Sequence, residues 1–531
     1  MIVDGPPDPA AQADICIVGS GPVGLSLALR CAAQGKRVMV IEAGYGFQTG
    51  RTVPAPPIEF VNASHAGPDV AMMRSVGGTS HLWGGRCVAF DDIDFRERPY
   101  VPHSGWPLAH HALQRHYPDA LRFLGCTPPA HTQVSMTDGE PVLLDRTEFW
   151  SQNGNVADAH DAAIRGSGNL MLHTGCQARR VLIDATSDGI RGVEVEHEGR
   201  CQAARAHAYV LAAGGLENTR LLMVSRRHMP QLFGGEGGPL GRFYCGHLTG
   251  HLAGIVFADP QFARRLWFQR TKGGGIHRQR LACADAIQEE MALLNTAFWL
   301  DSYSISDPTH GSGLLSGLYL ALSGMRLYPR VSHGQAPRHE GGTACHMANL
   351  RNGFDPRAAV ALGRQLSARR RDGSAFALFN PAGRYLLRYH AEHAPNSESR
   401  VELATEGPEA GPGLRVDLRF SAADTGSVVR SHARIDAWLR ANGIGQLDYH
   451  VEAGTRDAYV AGQALDGYHQ IGLTRMSADR SCGIVDANCR VHDLSNLYVA
   501  GSSVFPTAGQ ANPTLPAVAL ALRLADHLSA S

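Results

Sequence analysis

The strongest constraint on this chain lies between residues 14 and 42. Asp14-Ile15-Cys16-Ile17-Val18 is a short apolar, β-branched run, the pattern of a strand buried on both faces of a parallel sheet. It leads straight into Gly19-Ser20-Gly21-Pro22-Val23-Gly24. Leu25 to Gln34 then read as a helix ended by Gly35, and Lys36 to Glu42 as a second strand. Strand, glycine turn, helix and strand form a βαβ unit of the size of a dinucleotide half-site. Gly19 permits the tight turn. Gly21 lets bare backbone N–H groups approach a pyrophosphate at the helix N-terminus, and Gly24 lets the helix pack closely on the strand. Glu42 ends the second strand, where its carboxylate accepts from ribose hydroxyls and repels a 2′-phosphate. A lone G-x-G-x-x-G says little; this context makes it a dinucleotide signal.

The rest of the chain sets bounds. Its 531 residues exceed what one hydrophobic core serves, so two or more domains are expected. Hydrophobic residues at 44% and charged residues at 18% suit an ordinary globular protein. A formal net charge of +0 provides no global field for nucleic acid or an anionic membrane. Leu314 to Leu327 comes closest to a membrane span, but Ser316, Gly317, Ser323 and Gly324 interrupt it, and it reads as a buried helix. The N-terminus lacks a charged n-region and an apolar h-region, and 11 scattered cysteines form neither a disulfide framework nor a paired zinc motif. A reduced, cytoplasmic protein without a metal is the expectation.

Further along, residues 45–105 are rich in Gly, Pro, His and Trp with no clean period. Short strands return at Leu170 to His173, Gly192 to His197 and Ala208 to Ala213, followed by a helix from Leu216 to Arg226. Strands at Arg384 to His390 and Ser399 to Leu403 and a helix from Thr425 to Ala441 mark a second, less regular region. The last 35 residues return to the regular pattern of the opening unit, with a strand at Asn496 to Ala500, a Gly/Ser/Pro/Asn loop, and an apolar helix Leu515 to Leu528. FAD is favoured over NAD on two grounds. Glu42-Ala43-Gly44 is followed by an irregular segment instead of another βα unit, and the chain's far end rejoins the fold at Leu497 to Gly501.

Several segments carry a resemblance to the glucose–methanol–choline (GMC) oxidoreductases. Val76-Gly77-Gly78-Thr79-Ser80-His81-Leu82-Trp83-Gly84-Gly85 resembles that family's glycine-pair loop against the flavin. Leu211-Ala212-Ala213-Gly214-Gly215 with Leu221-Leu222, then Leu240-Gly241-Arg242-Phe243-Tyr244 with His247, resemble its next two segments. His469-Gln470-Ile471-Gly472 through Asn512-Pro513-Thr514 resembles its catalytic tail, and the pattern sits nearest the pyranose oxidase and fructose dehydrogenase branch. The resemblance implies an α/β (α+β overall) fold. A Rossmann-like FAD-binding domain at 14–245 and 456–531, with an irregular flavin-covering segment at about 45–165, would carry a substrate domain at 246–455 with a mainly antiparallel sheet. It implies cofactor contacts from Gly19, Gly21, Pro22, Val23, Gly24, Glu42, Ala43, Gly77, Gly78, Thr79, His81, Trp83, Gly84, Ala213, Gly214, Gly501, Ser502, Asn512, Pro513 and Thr514. It further implies oxidation of an alcohol, in a sugar, polyol or sugar-like natural product, to a carbonyl by hydride transfer to flavin N5. His469 would be the general base and Asn512 would orient the substrate oxygen.

Two departures matter. Family members often carry Asp where this chain has Gly501, and relatives with a histidyl-FAD bond place His where this chain has Leu82. His81 is one residue early, and one residue on an extended segment turns a side chain to the opposite face. Non-covalent FAD is therefore expected, with linkage through His81 as the alternative. Asn512-Pro513 before an apolar helix also fits a helix cap. Arg388, His390 and Glu392 alternate onto one strand face and are candidate substrate contacts. His247 and His251 at i,i+4 would suit a metal on a helix, but Thr249-Gly250 argues against one. His103, His110, His111 and His116, and Asp91, Asp92 and Asp94, read as surface groups. A GMC-fold lyase with structural FAD, a flavin monooxygenase and a non-catalytic flavoprotein are the competing readings. Substrate identity, O2 or a quinone as acceptor, and the oligomer stay open.

Overall fold

The computed structural model describes residues 1–129, 140–184, 188–325, 342–353, 360, 379–404 and 411–530. Its first sheet grows from the opening βαβ unit. Gln12–Val18 pairs in parallel with Val38–Ile41 on one side and with Arg200–Leu211 on the other. Leu170–Thr174 and then Ile2–Asp4 extend the first side, and Leu497–Val499 adds in parallel to Arg200–Leu211. An antiparallel pair, Gln177–Ile183 with Ile190–His197, continues the second side. Ile15 to Val18 are buried because helices cover the sheet. Helix Pro22–Ala33 packs on the last helix, Thr514–Ala530, whose apolar residues belong to the same core, and Arg30 pairs with Asp526 across them at 2.9 Å. The first helix starts at Pro22, three residues before the apolar period suggests. Proline's fixed φ suits the first helical position, so the last glycine of the turn lies inside the helix.

The second sheet is antiparallel. Its strands run in the order Gly445–Tyr449, His247–Phe257, Arg384–Glu392, Thr296–Asp301, Ile276–Cys283, Val142–Trp150 and Arg86–Val88. One face carries Leu248, Leu281, Phe298, Leu300 and Leu387, which pack with Val428, Ile435 and Leu439 of helix Ala422–Ala441. The other face is polar and holds the site described below. The segment at 45–165, read as irregular, supplies two strands of this sheet, Arg86–Val88 and Val142–Trp150, as well as helices His110–Gln114 and Tyr117–Phe123. Asp91, Asp94 and His116, read as surface groups, are buried. Asn295 Nδ2 donates to Asp91 at 3.0 Å and to Asp94 at 2.9 Å, contacts some 200 residues apart that no local pattern announces. The apolar stretch at 314 forms helix Gly313–Gly324, while Leu327 lies outside the described residues. Among the described residues no helix is long and apolar enough to cross a membrane.

Candidate active site

The glycine turn sits at the carboxyl end of Gln12–Val18, where an open parallel sheet binds its ligand. A Cβ on Gly24 would overlap the Gly19 carbonyl oxygen, so only glycine lets the helix start this close. A Cβ on Gly21, by contrast, would meet nothing within 4 Å, which leaves its backbone open to a phosphate. The Gly77-Gly78 loop lies directly on this turn: Gly77 N–H donates to the Ser20 carbonyl at 3.0 Å, and Gly77 adopts φ +95°. Ala212 N–H bonds the Val18 carbonyl at 2.8 Å and Ala500 N–H the Leu211 carbonyl at 2.8 Å. Ala213, Gly214, Gly501 and Ser502 thereby line up beside the turn. Glu42 is buried, and its carboxylate accepts from Ser20 N–H at 3.0 Å, Ser20 Oγ–H at 2.6 Å and Gly44 N–H at 2.8 Å. This rim of bare backbone, with an acid at the second strand's end, fits a flavin dinucleotide. Thr79 is exposed and Trp83 half-buried in the loop that follows.

The segment from Asp466 to Thr514 lies against the second sheet. Cys245 and Ile471 bridge antiparallel, which sets His469 against the start of strand His247–Phe257. Asp466, 3% exposed, organises the turn between them. Its Oδ1 accepts from the Tyr468 and His469 backbone N–H groups, and its Oδ2 from the His247 N–H at 2.6 Å. Oδ2 also accepts from His469 Nδ1–H at 3.0 Å. With Nδ1 protonated, the lone pair of His469 lies on Nε2, where Asn512 Nδ2–H donates at 3.2 Å. The helix that follows begins at Thr514, and Asn512 Oδ1 is buried with no hydrogen-bond partner among the described residues. The amide faces His469 and does not cap the helix. Burial alone would raise the Asp466 carboxyl, but His469 and His247 more than offset it and hold it well below the usual carboxylate range.

His247 and His390 complete the cluster. Burial pushes His247 down to about 4 although Asp466 pulls the other way, and burial with its two histidine neighbours holds His390 well below the usual range. Both are neutral at pH 7. Nitrogens of His247, His390 and His469 lie within 4.8 Å of one another. The His247 and His390 rings are stacked, 4.2 Å apart at 22°, so their in-plane lone pairs run side by side and do not converge on one centre. His390 Nδ1 donates to the Gln510 carbonyl at 2.9 Å. His251 faces Asp301 at 3.2 Å. The arrangement orients rings.

Of the three candidate substrate contacts, His390 lies in the cluster. Arg388 is half-buried beside Asp301 and Thr249. Glu392 is closed to a substrate: it is fully buried, clamped by both Arg98 nitrogens and by the Asn295 N–H. His81 is held on its own loop, with Nε2–H donating to the Val76 carbonyl at 2.8 Å and its ring stacked on Phe47. Asp466 has no counterpart among the residues singled out from sequence. An acid-glycine turn three residues before the histidine is the signal that marks it, since Gly467 at φ +117° folds the chain back there.

A family model described as GMC oxidoreductase matches residues 395–521, and one described as FAD dependent oxidoreductase matches residues 14–268. The chain belongs to the GMC oxidoreductase family. It is an FAD-dependent alcohol oxidoreductase. Among GMC relatives, it is 23% identical to the 6'''-hydroxyparomomycin C oxidase of Streptomyces lividus, over 97% of this chain and 92% of that one. It is 24% identical to the oxygen-dependent choline dehydrogenase of Rhizobium johnstonii, over 97% of this chain and 95% of the other. The fold matches that of pyridoxine 4-oxidase from Mesorbium loti with a TM-score of 0.53 at 19% identity, covering 97% of this chain and 99% of that one.

Proposed function

We propose that this enzyme oxidises an alcohol group of a sugar or sugar-like molecule to a carbonyl, with His469 as the base and Asn512 as the oxygen-binding amide. The pairing of His469 Nε2 with Asn512, backed by buried Asp466, carries the reading. FAD, when bound, supplies the hydride acceptor. His469 Nε2 takes the hydroxyl proton, and its Nδ1–H stays on Asp466, which stabilises the resulting imidazolium. The Asn512 amide then holds the oxygen on which negative charge builds. Neutral His247 and His390 wall the site, and His247 Nδ1 lies 2.9 Å from His469 Nδ1, sharing that edge of the ring with Asp466. The S. lividus relative, named for oxidising an aminoglycoside, supports a sugar-like substrate. Residues 14–245 and 456–531 form the cofactor unit and 246–455 the substrate unit, to which Arg86–Val88 and Val142–Trp150 contribute strands.

FAD is held without a covalent bond, because His81 is tied to Val76 and Phe47. Acid precipitation should release all the flavin into the supernatant; yellow pellets would overturn this. The acceptor is O2 or a quinone. In an anaerobic screen, a substrate alcohol bleaches the flavin, and admitting air or adding a quinone identifies which restores it. His469→Ala and Asn512→Ala should each slow bleaching by roughly a hundredfold or more with FAD retained. A loss under tenfold would refute the roles, and a lyase would turn over without bleaching.

A further inference from the structure

Strand register places an unusual charge set on the polar face of the second sheet. Ala297 opposes His390 and Trp299 opposes Arg388, so Trp299 shares the face of the histidine cluster. Ala282 opposes Ala297, which puts Arg280 and Arg278 on that face too. Arg278 opposes Glu148, and Arg86 opposes Trp150, two residues further along the same strand. Elsewhere on this face charges are matched: Arg388 with Asp301, Arg146 with Asp91, and Glu392 with Arg98, which reaches it from a loop. Here three arginines surround one carboxylate. Arg278 bonds Glu148, Arg86 Nε lies 3.4 Å from it, and Arg280 Nε 3.8 Å.

The surplus charge is buried. Arg280 and Glu148 have no exposed side-chain surface, and Arg278 has 3%. All three guanidinium nitrogens of Arg280, and Nη2 of Arg278, lack a hydrogen-bond partner among the described residues. The three guanidiniums crowd one indole, with Arg86, Arg280 and Arg278 at 4.4, 4.8 and 5.0 Å from the Trp299 ring centre. Trp299 in turn lies 6.1 Å from the His390 ring, and His390 5.6 Å from that of His469. Burial pushes Arg280 down to about 9 and Arg278 to about 10, the mark of cations short of counter-charge. Arg86 alone reaches open space, with 26% of its side chain exposed directly after the Gly84-Gly85 loop.

The geometry points to an oxyanion subsite: Arg86, backed by Arg278 and Arg280, holds a carboxylate or phosphoryl group of the substrate while its alcohol carbon faces His469 and Asn512. This rests on the alcohol-oxidation reading above and names the substrate class within it, an alcohol that carries a negative charge. A planar guanidinium presents paired N–H groups that match either oxyanion, and the two buried arginines supply the excess field that a neutral hydroxyl would not need.

The holoenzyme tests it in two arms. The first needs no turnover: inorganic sulfate is titrated and followed by flavin absorbance and calorimetry. Sulfate should bind, Arg86→Gln should weaken it about tenfold, and Glu148→Gln, which removes the lone acid, should tighten it. A structural role alone would weaken both variants alike, and no sulfate binding overturns the subsite. The second arm compares D-galacturonate with D-galactose, and glucose 6-phosphate with glucose, by anaerobic flavin bleaching. One anionic member should exceed its neutral partner at least tenfold in kcat/KM, and Arg86→Gln should abolish the difference through KM. Equal rates for both members overturn the proposal. So does an Arg86→Gln effect that shifts the flavin midpoint potential and slows charged and neutral substrates alike, since the cluster would then serve the cofactor. If no alcohol bleaches the flavin, the alcohol-oxidation reading fails, and the sulfate arm still decides whether the anion subsite exists.

Discussion

At the scale of single residues, the site depends on which nitrogen of His469 holds a proton. Asp466 decides it by accepting from Nδ1, and the choice fixes the direction of the Asn512 amide as well. Asp466→Asn can donate where Asp466 accepts, so it favours the wrong tautomer and removes the charge that stabilises the imidazolium. Flavin reduction should fall roughly a hundredfold with the circular dichroism and FAD content unchanged, and Asp466→Glu, which keeps the charge, should recover part of it. An equal loss in both variants would reduce Asp466 to a structural role. His469 and Asn512 were legible through the motif they share with a family, yet Asp466 was not. Its acid is defined by the backbone and ring it faces, and those contacts follow from the turn at Gly467. Glu392 shows the converse: its strand face was legible from alternation, but Arg98, 294 residues away, occupies it.

Among the elements, the glycine turn and first helix act as one rigid piece. Gly24→Ala pushes a methyl into the Gly19 carbonyl oxygen. The helix must shift, at about 1–3 kcal/mol, and it carries the phosphate-binding N–H groups with it. FAD affinity should drop at least tenfold by fluorescence titration, with a lower unfolding temperature; unchanged affinity would show that the helix start does not hold the cofactor. Elements with a strong local period were readable, among them strand Gln12–Val18, helix Gly215–Arg226 and helix Ala422–Ala441 with its Ser421–Asp424 capping box. The stretch from 45 to 165 was not. Arg86–Val88 has only three residues and pairs with Val142–Trp150, which is held on its other edge by Ile276–Cys283, so no local window contains the reason they form.

The whole molecule carries several histidines that folding forces to be neutral. Burial lowers His247, His310 and His432 to about 4. Their folded pKa lies below the unfolded value near 6.5, so between pH 6.5 and 4 the unfolded chain binds more protons. Stability should therefore be fully present above pH 6.5 and fall as pH drops to 4, by up to about 3 kcal/mol per histidine. Differential scanning calorimetry should show the unfolding temperature a few degrees lower at pH 5.5 than at pH 7, with a shallower slope in His432→Leu. A flat profile would mean these rings are not held neutral. The sheet architecture was legible only in outline, because strand order depends on long crossovers. One of these, Leu497–Val499 beside Arg200–Leu211, has a consequence for synthesis. The ribosome delivers the glycine turn first and the strand and helix that flank it last, nearly five hundred residues later. An emerging N-terminal half therefore lacks Leu497–Val499 and helix Thr514–Ala530, and the nucleotide cradle is complete only once they are added.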